Sequence, residues 1–206
     1  MKDRTLHLVC SRCGQASPVP VYSVINVKEH PELKDEVRSG RIFLWNCPAC
    51  GSPNLARYPF LYHDPELRLL IWMSDGDRAV EEQMSRTVKE EEGLKDYTAR
   101  MVDSPGDLIE KIMIFEAGLD DLAMEMCKHV VRGDLGKDVD LRFYSAGGAD
   151  HELTFTYPEG GQMQLAQAGF SIYEDCAGIV RRNSDIIRGA DGLARIDRAW
   201  IESFLR

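Results

Sequence analysis

The sequence predicts an α+β protein: a zinc-ribbon-like β unit with one inserted short helix, then an α+β unit. That second unit has one long helix, antiparallel hairpin strands and C-terminal helices. Three observations carry this prediction. Two Cys-x-x-Cys-Gly corners, Cys10-Ser-Arg-Cys13-Gly14 and Cys47-Pro-Ala-Cys50-Gly51, are separated by 33 residues. Short alternating or β-branched runs surround them. Further on, one apolar stripe runs through Leu108, Ile112, Phe115, Leu119, Leu122, Met126 and Val130 in steps of three and four.

Each element has a local reason. TLHLV (5–9) alternates and enters the first corner as a strand. VPVYSVINV (19–27) leaves it as another. Pro31 opens a short helix that Gly40 ends, and Leu33 and Val37 give it one apolar face. IFLW (42–45) reads as the strand leading to Cys47. RYPFLY (57–62) and LRLLIW (67–72) flank HDPE (63–66), and Asp-Pro between apolar runs predicts a hairpin. Residues 75–96 are polar and acidic, a connector with a weak helical stripe at Val80, Met84 and Val88. YTARMV (97–102) suits a strand. Ser104-Pro105-Gly-Asp107 supplies a cap, a first-turn proline and a first-turn acid for the long helix, with Gly118 as a bend and Gly133 as its end. DLRFYS (140–145) and ELTFTY (152–157) predict a hairpin with Leu141 and Phe143 facing Leu153 and Phe155, joined by GGAD (147–150). Pro158-Glu-Gly-Gly161 turns the chain into QMQLA. Ser171-Ile-Tyr-Glu174 predicts a capping box, and Asp197 caps a last helix bearing Trp200, Ile201, Phe204 and Leu205. The organisation expected from this is a ribbon unit over 1–74, an acidic connector over 75–96 and an α+β unit over 97–206.

Composition narrows the function. The chain has 206 residues, 44% hydrophobic and 29% charged, as globular chains do. No apolar run approaches the ~20 residues of a membrane helix, and MKDRTLHLVC lacks the apolar core of a secretory signal. A soluble, cytoplasmic protein with no membrane partner is expected. The net charge is −9, distributed as +2 over residues 1–74, −7 over 75–133 and −4 over 134–206. Such a surface repels a phosphate backbone, so nucleic acid is not an expected partner.

The corners carry the chemistry. A Cys-x-x-Cys turn places two sulfurs on one side of a loop, and the glycine after it adopts positive φ without a steric cost. Two corners supply four thiolates, Cys10, Cys13, Cys47 and Cys50, a closed tetrahedral set for Zn²⁺. Iron accepts the same donors; zinc is expected because no second cluster or cofactor motif accompanies them. A redox Cys-x-x-Cys normally opens a helix in a βαβ pattern, and neither corner precedes a predicted helix. His63 and Asp64 are the only other constellation, as a proton-transferring or metal-binding pair or simply as a hairpin turn with Asp as turn former. Cys127 and Cys176 read as buried apolar thiols, and Cys127 and His129, two apart on a helix, point in different directions. Glu90-Glu-Glu92 reads as a solvated face. No phosphate loop, nucleophile elbow or His-Glu-x-x-His helix occurs.

The two corners, Ile25-Asn26-Val27, Pro31-Glu32-Leu33-Lys34, Gly40-Arg41-Ile42-Phe43 and Leu61-Tyr62-His63-Asp64 together resemble the prokaryotic CpXC-domain family. Residues 104–121 look like the helix that follows in many members, so the resemblance covers roughly residues 8–130. Ser11 stands where the family pattern has proline, which removes no ligand. The resemblance implies a cysteine-ligated metal module of bacteria or archaea with no established activity. The expected function is therefore a zinc-binding protein with a protein-interaction or scaffold role. The alternatives are an enzyme with its site between the two units near His63 and Asp64, and a thiol redox protein.

Overall fold

The computed structural model describes residues 2–148 and 151–205. The fold is α+β, and it divides into two compact units, Met1–Ile109 and Glu110–Arg206.

In the first unit, β1 (Arg4–Val9) and β2 (Ala16–Val21) form an antiparallel hairpin around the first corner. The single strand predicted over 19–27 is broken at Tyr22-Ser23. β3 (Val24–Asn26) leaves the hairpin and joins a different sheet. A 3-10 turn at Pro31–Leu33 leads into α1 (Lys34–Arg38), whose Val37 is buried. Gly40, at φ 73°, turns the chain out of it as expected. The strand predicted over 42–45 starts later. Arg41–Phe43 makes a second 3-10 turn, which carries Phe43 into the core, and β4 (Leu44–Asn46) then pairs antiparallel with β5 (Pro53–Leu55) around the second corner.

β6 (Phe60–Asp64) and β7 (Leu69–Met73) form the hairpin predicted from Asp64-Pro65. The acidic connector contains α2 (Arg78–Glu90), where Asp77 Oδ1 accepts from the Ala79 and Val80 N–H groups. β8 (Thr98–Val102) returns parallel to β7, so strands β8, β7, β6 and β3 lie side by side in that order. That pairing places residues 98–102 in the first unit. The division between units falls inside α3 (Pro105–Glu116), not near residues 74–97. β7 reads LLIWM because both its faces are covered. Beside it, Phe43 meets Phe60 edge-on at 5.2 Å and Tyr58 at 5.9 Å. These rings anchor the β4–β5 hairpin at its base.

In the second unit the one long helix is two. α3 stops at Glu116, Gly118 takes φ 70°, and α4 (Asp121–Leu135) begins afresh at Asp120. The Gly118 N–H donates to Phe115 O and the Leu119 N–H to Ile114 O, closing the first helix through a left-handed residue. Asp120 Oδ1 accepts from the Leu122 and Ala123 N–H groups and caps the second. Leu119, Leu122 and Met126 join one core cluster with Ile114, which lies off the predicted stripe, whereas Phe115 is half-buried and Val130 is exposed. α4 ends at the left-handed Gly136 and not at Gly133.

β9 (Arg142–Gly147), β10 (Glu152–Glu159) and β11 (Gln162–Gly169) form an antiparallel sheet in the order β11-β10-β9. Phe143 pairs with Phe155 as predicted, whereas Leu141 precedes the strand and is buried. Of the GGAD loop, Ala149 and Asp150 lie outside the described residues. α5 (Phe170–Arg182) starts with Gly169 as N-cap and no side-chain cap, so the predicted Ser171 box does not form. α6 (Ser184–Gly189), capped by Asn183, and β12 (Leu193–Ala194) had no sequence counterpart in the prediction. α7 (Arg198–Phe204) starts at Asp197 as expected, with Asp197 Oδ1 accepting from the Trp200 N–H at 2.8 Å. Cys127 and Cys176 are both buried in the core of this unit.

Five of the charged residues between the stripe positions are not solvated. Lys128 Nζ lies 2.8 Å from Glu125 Oε1 and 3.0 Å from Glu110 Oε1. Lys111 Nζ lies 3.0 Å from Asp121 Oδ2 and 3.5 Å from Glu125 Oε1. Glu110 Oε1 also accepts from the Phe143 N–H at 2.7 Å, tying α3 to β9. All five side chains are buried. Burial alone would pull the Lys128 amine down, but the Glu110 and Glu125 carboxylates outweigh it and hold the amine above its ordinary value.

Candidate metal centre

Each cysteine corner is a tight turn with the same backbone closure. The Gly14 N–H donates to Cys10 O at 2.9 Å and the Cys10 N–H to Gln15 O at 3.0 Å. In the second corner the Gly51 N–H donates to Cys47 O at 2.8 Å and the Cys47 N–H to Ser52 O at 2.9 Å. Gly14 and Gly51 take φ 73° and 71°, the left-handed conformation that the sequence reading assigned to them. Neither corner runs into a helix: β2 follows the first and β5 the second.

The two corners meet. Cys10 Sγ lies 3.7 Å from Cys50 Sγ, and Cys13 Sγ lies 3.6 Å from Cys47 Sγ. All four sulfurs are within 4.8 Å of one another. A tetrahedron with metal–sulfur bonds of ~2.3 Å has edges of about 3.8 Å. The sulfurs therefore stand at the spacing of a four-coordinate centre and well beyond the ~2.05 Å of a disulfide. Among the described residues no other group of histidine, cysteine or carboxylate side chains converges in this way.

The surroundings favour negative charge at the sulfurs. The Cys13 and Arg12 N–H groups and the Asn54 amide face Cys10 and, against the opposing effect of burial, lower its thiol to about 6. The Ser52 hydroxyl and N–H lower Cys50. At Cys13 the Gln15 N–H also pulls downward, but Cys50, burial, Cys47 and Cys10 together raise it to about 12. A cation in the middle would favour the thiolate form of all four.

Asn54, on β5, is the residue that sequence reasoning missed. Its Oδ1 accepts from both the N–H and the hydroxyl of Ser11, each at 2.9 Å. Its Nδ2 donates to Ser52 O at 2.9 Å and lies 3.5 Å from Cys10 Sγ. One buried amide thus clamps the first corner to the second and donates to a sulfur, the outer-shell arrangement that orients metal ligands. Ser11 can enter this clamp because it has two donors; a proline there has none.

His63 and Asp64 are on β6 with alternating exposure, so they face opposite sides of the strand. Asp64 is 1% exposed. Its Oδ1 accepts from the Glu66 and Leu67 N–H groups and closes the hairpin turn. Its Oδ2 accepts from Lys34 Nζ at 3.0 Å and from the Tyr62 hydroxyl at 3.3 Å. His63 Nε2 is 3.1 Å from the Tyr97 hydroxyl, and burial holds its imidazole below the ordinary value. Asp64 is thus fully engaged in the turn and does not orient His63.

A family model described as CpXC protein matches residues 8–128. The chain belongs to the CpXC family. The match contains both cysteine corners, β6 and its turn, α3 and the first half of α4. No curated protein and no solved structure matches this CpXC chain. Among its described residues no helix is long and apolar enough to cross a membrane.

Proposed function

We propose that Cys10, Cys13, Cys47 and Cys50 bind one structural zinc ion, and that the unit so fastened serves as a protein-interaction or scaffold module. The observation that carries this reading is the sulfur spacing. Four thiols from two distant turns stand where a tetrahedral ion needs them, and four protein ligands leave no open position for water or substrate. A centre of that kind folds a module and does not turn over a reagent. β1–β2 and β4–β5 are two-stranded ribbons, too small to be stable alone in water. A shared ion supplies the link that their sparse core does not. Zinc is preferred to iron, which accepts the same donors, because no second cluster or cofactor motif accompanies the site. The acidic charge argues for a protein partner over a nucleic acid.

Affinity capture from the native lysate tests the interaction role, with metal-loaded and metal-stripped protein as parallel baits. The expected result is a reproducible partner on the loaded bait that is lost on the stripped one. Repeated captures that return nothing on either bait contradict the role while leaving the metal site itself standing.

A further inference from the structure

One strand edge is left without the devices that keep sheet edges apart. β11 is the outer strand of the β11-β10-β9 sheet, and its pairing with β10 is regular over all eight residues, Glu152 opposite Gly169 to Glu159 opposite Gln162. It reads Gln162-Met-Gln-Leu-Ala-Gln-Ala-Gly169, with no charge and no proline. Met163 and Leu165, on its outward face, are 62% and 65% exposed, while Ala166 beneath them is buried. The opposite edge differs: β9 carries Arg142 and Tyr144, and its register shifts at Thr154/Phe155. Lysines, prolines and bulges are the usual means of stopping edge-to-edge pairing, and β11 has none of them.

We infer that β11 is a self-association edge, pairing antiparallel with β11 of a second copy of this chain about a two-fold axis. Antiparallel pairing of identical strands is self-complementary, so an isologous dimer closes and exposes no further edge at the seam. Charge selects the occupant. Two copies of a chain with net charge −9 repel over most of their surfaces. Across a β11–β11 seam no charged side chain faces another, so the repulsion is least there. A strand bearing charges would find no counter-charge on this one. With Leu165 at the axis, Leu165 faces Leu165 of the other copy and Met163 faces Gln167, which places both exposed apolar side chains in the seam. A seam of eight residues per strand is smaller than a standard interface, so the dimer is a weak one, on the order of tens to hundreds of micromolar.

Sedimentation velocity of the full metal-loaded chain, from micromolar to sub-millimolar concentration, tests this. The expected result is a concentration-dependent monomer–dimer equilibrium that Leu165→Lys weakens by about tenfold or more, since like charges directly opposite destabilise a strand pair. Gln167→Lys acts in the same direction, and Tyr144→Lys on the other edge leaves the equilibrium unchanged. All three positions are exposed, so the urea midpoints stay at the wild-type value and the variants remain folded. A wild-type chain that is monomeric at every concentration overturns the inference. So does a dimer that neither β11 lysine weakens, because its seam then lies elsewhere.

Discussion

Cys47→Ser will lower the metal content of the purified protein from about one ion per chain to near zero and will unfold both cysteine corners together. The two corners are 33 residues apart in sequence, yet Cys13 Sγ and Cys47 Sγ are 3.6 Å apart in the fold. Removing one sulfur therefore releases both hairpins. Apparent binding energies for complete structural zinc sites are ~10–16 kcal/mol, far above the 0.5–3 kcal/mol of an ordinary point mutation (a rough range). Amide exchange provides the readout. The N–H groups of Cys10, Gly14, Cys47 and Gly51, all hydrogen-bonded within the corners, will lose protection, whereas those of Leu69–Met73 in the central strand will keep most of theirs. Chelation of the wild-type protein will produce the same pattern. Loss of protection in the second corner alone, with the first intact, would mean that the sulfurs do not share an ion.

Lys128→Met will destabilise the protein by about 3–5 kcal/mol, the usual consequence of removing one member of a buried ion network. Methionine fills nearly the same volume, so the loss reports charge and not a cavity. The change leaves Glu125 with only the more distant Lys111 amine, at 3.5 Å, and strips Glu110 of its 3.0 Å partner. Urea unfolding near neutral pH measures the loss. Adding Glu125→Gln to Lys128→Met will recover part of it, because one uncompensated charge is then gone. A loss below about 1 kcal/mol, the scale of an exposed pair, would mean that these carboxylates are hydrated and the network is not sealed.

The parts of the fold that were legible in the sequence are those whose cause is local. The Cys-x-x-Cys-Gly spacing dictates a knuckle within five residues. Asp64-Pro65 dictates a turn, and Asp197 caps its own helix. The parts that were not legible depend on contacts between distant residues. The stripe from Leu108 to Val130 reads as one helix because its steps of three and four continue past residue 118, and periodicity does not register the left-handed Gly118 between the two halves. Nothing local marks Glu110, Lys111, Asp121, Glu125 and Lys128 as a buried network, since charged residues are rarely buried unless paired. The faint signal was Glu125 and Lys128, of opposite sign and three apart on α4. β8 could be recognised as a strand, but nothing local says that it pairs with β7. Asn54 clamps a residue 43 positions away, and no pattern around it announces that role. Outside the cysteine cluster, the one suspected pair, His63 and Asp64, lies on opposite faces of its strand, as the two-residue period of a strand requires.

Elemental analysis combined with X-ray absorption at the metal edge, on protein purified under reducing conditions, tests the central claim most directly. The expected result is zinc at about one ion per chain in a shell of four sulfurs at ~2.3 Å, with no nitrogen or oxygen neighbour. A metal-free protein with four freely titrating thiols, or a bound ion with water or nitrogen in its first shell, would contradict it.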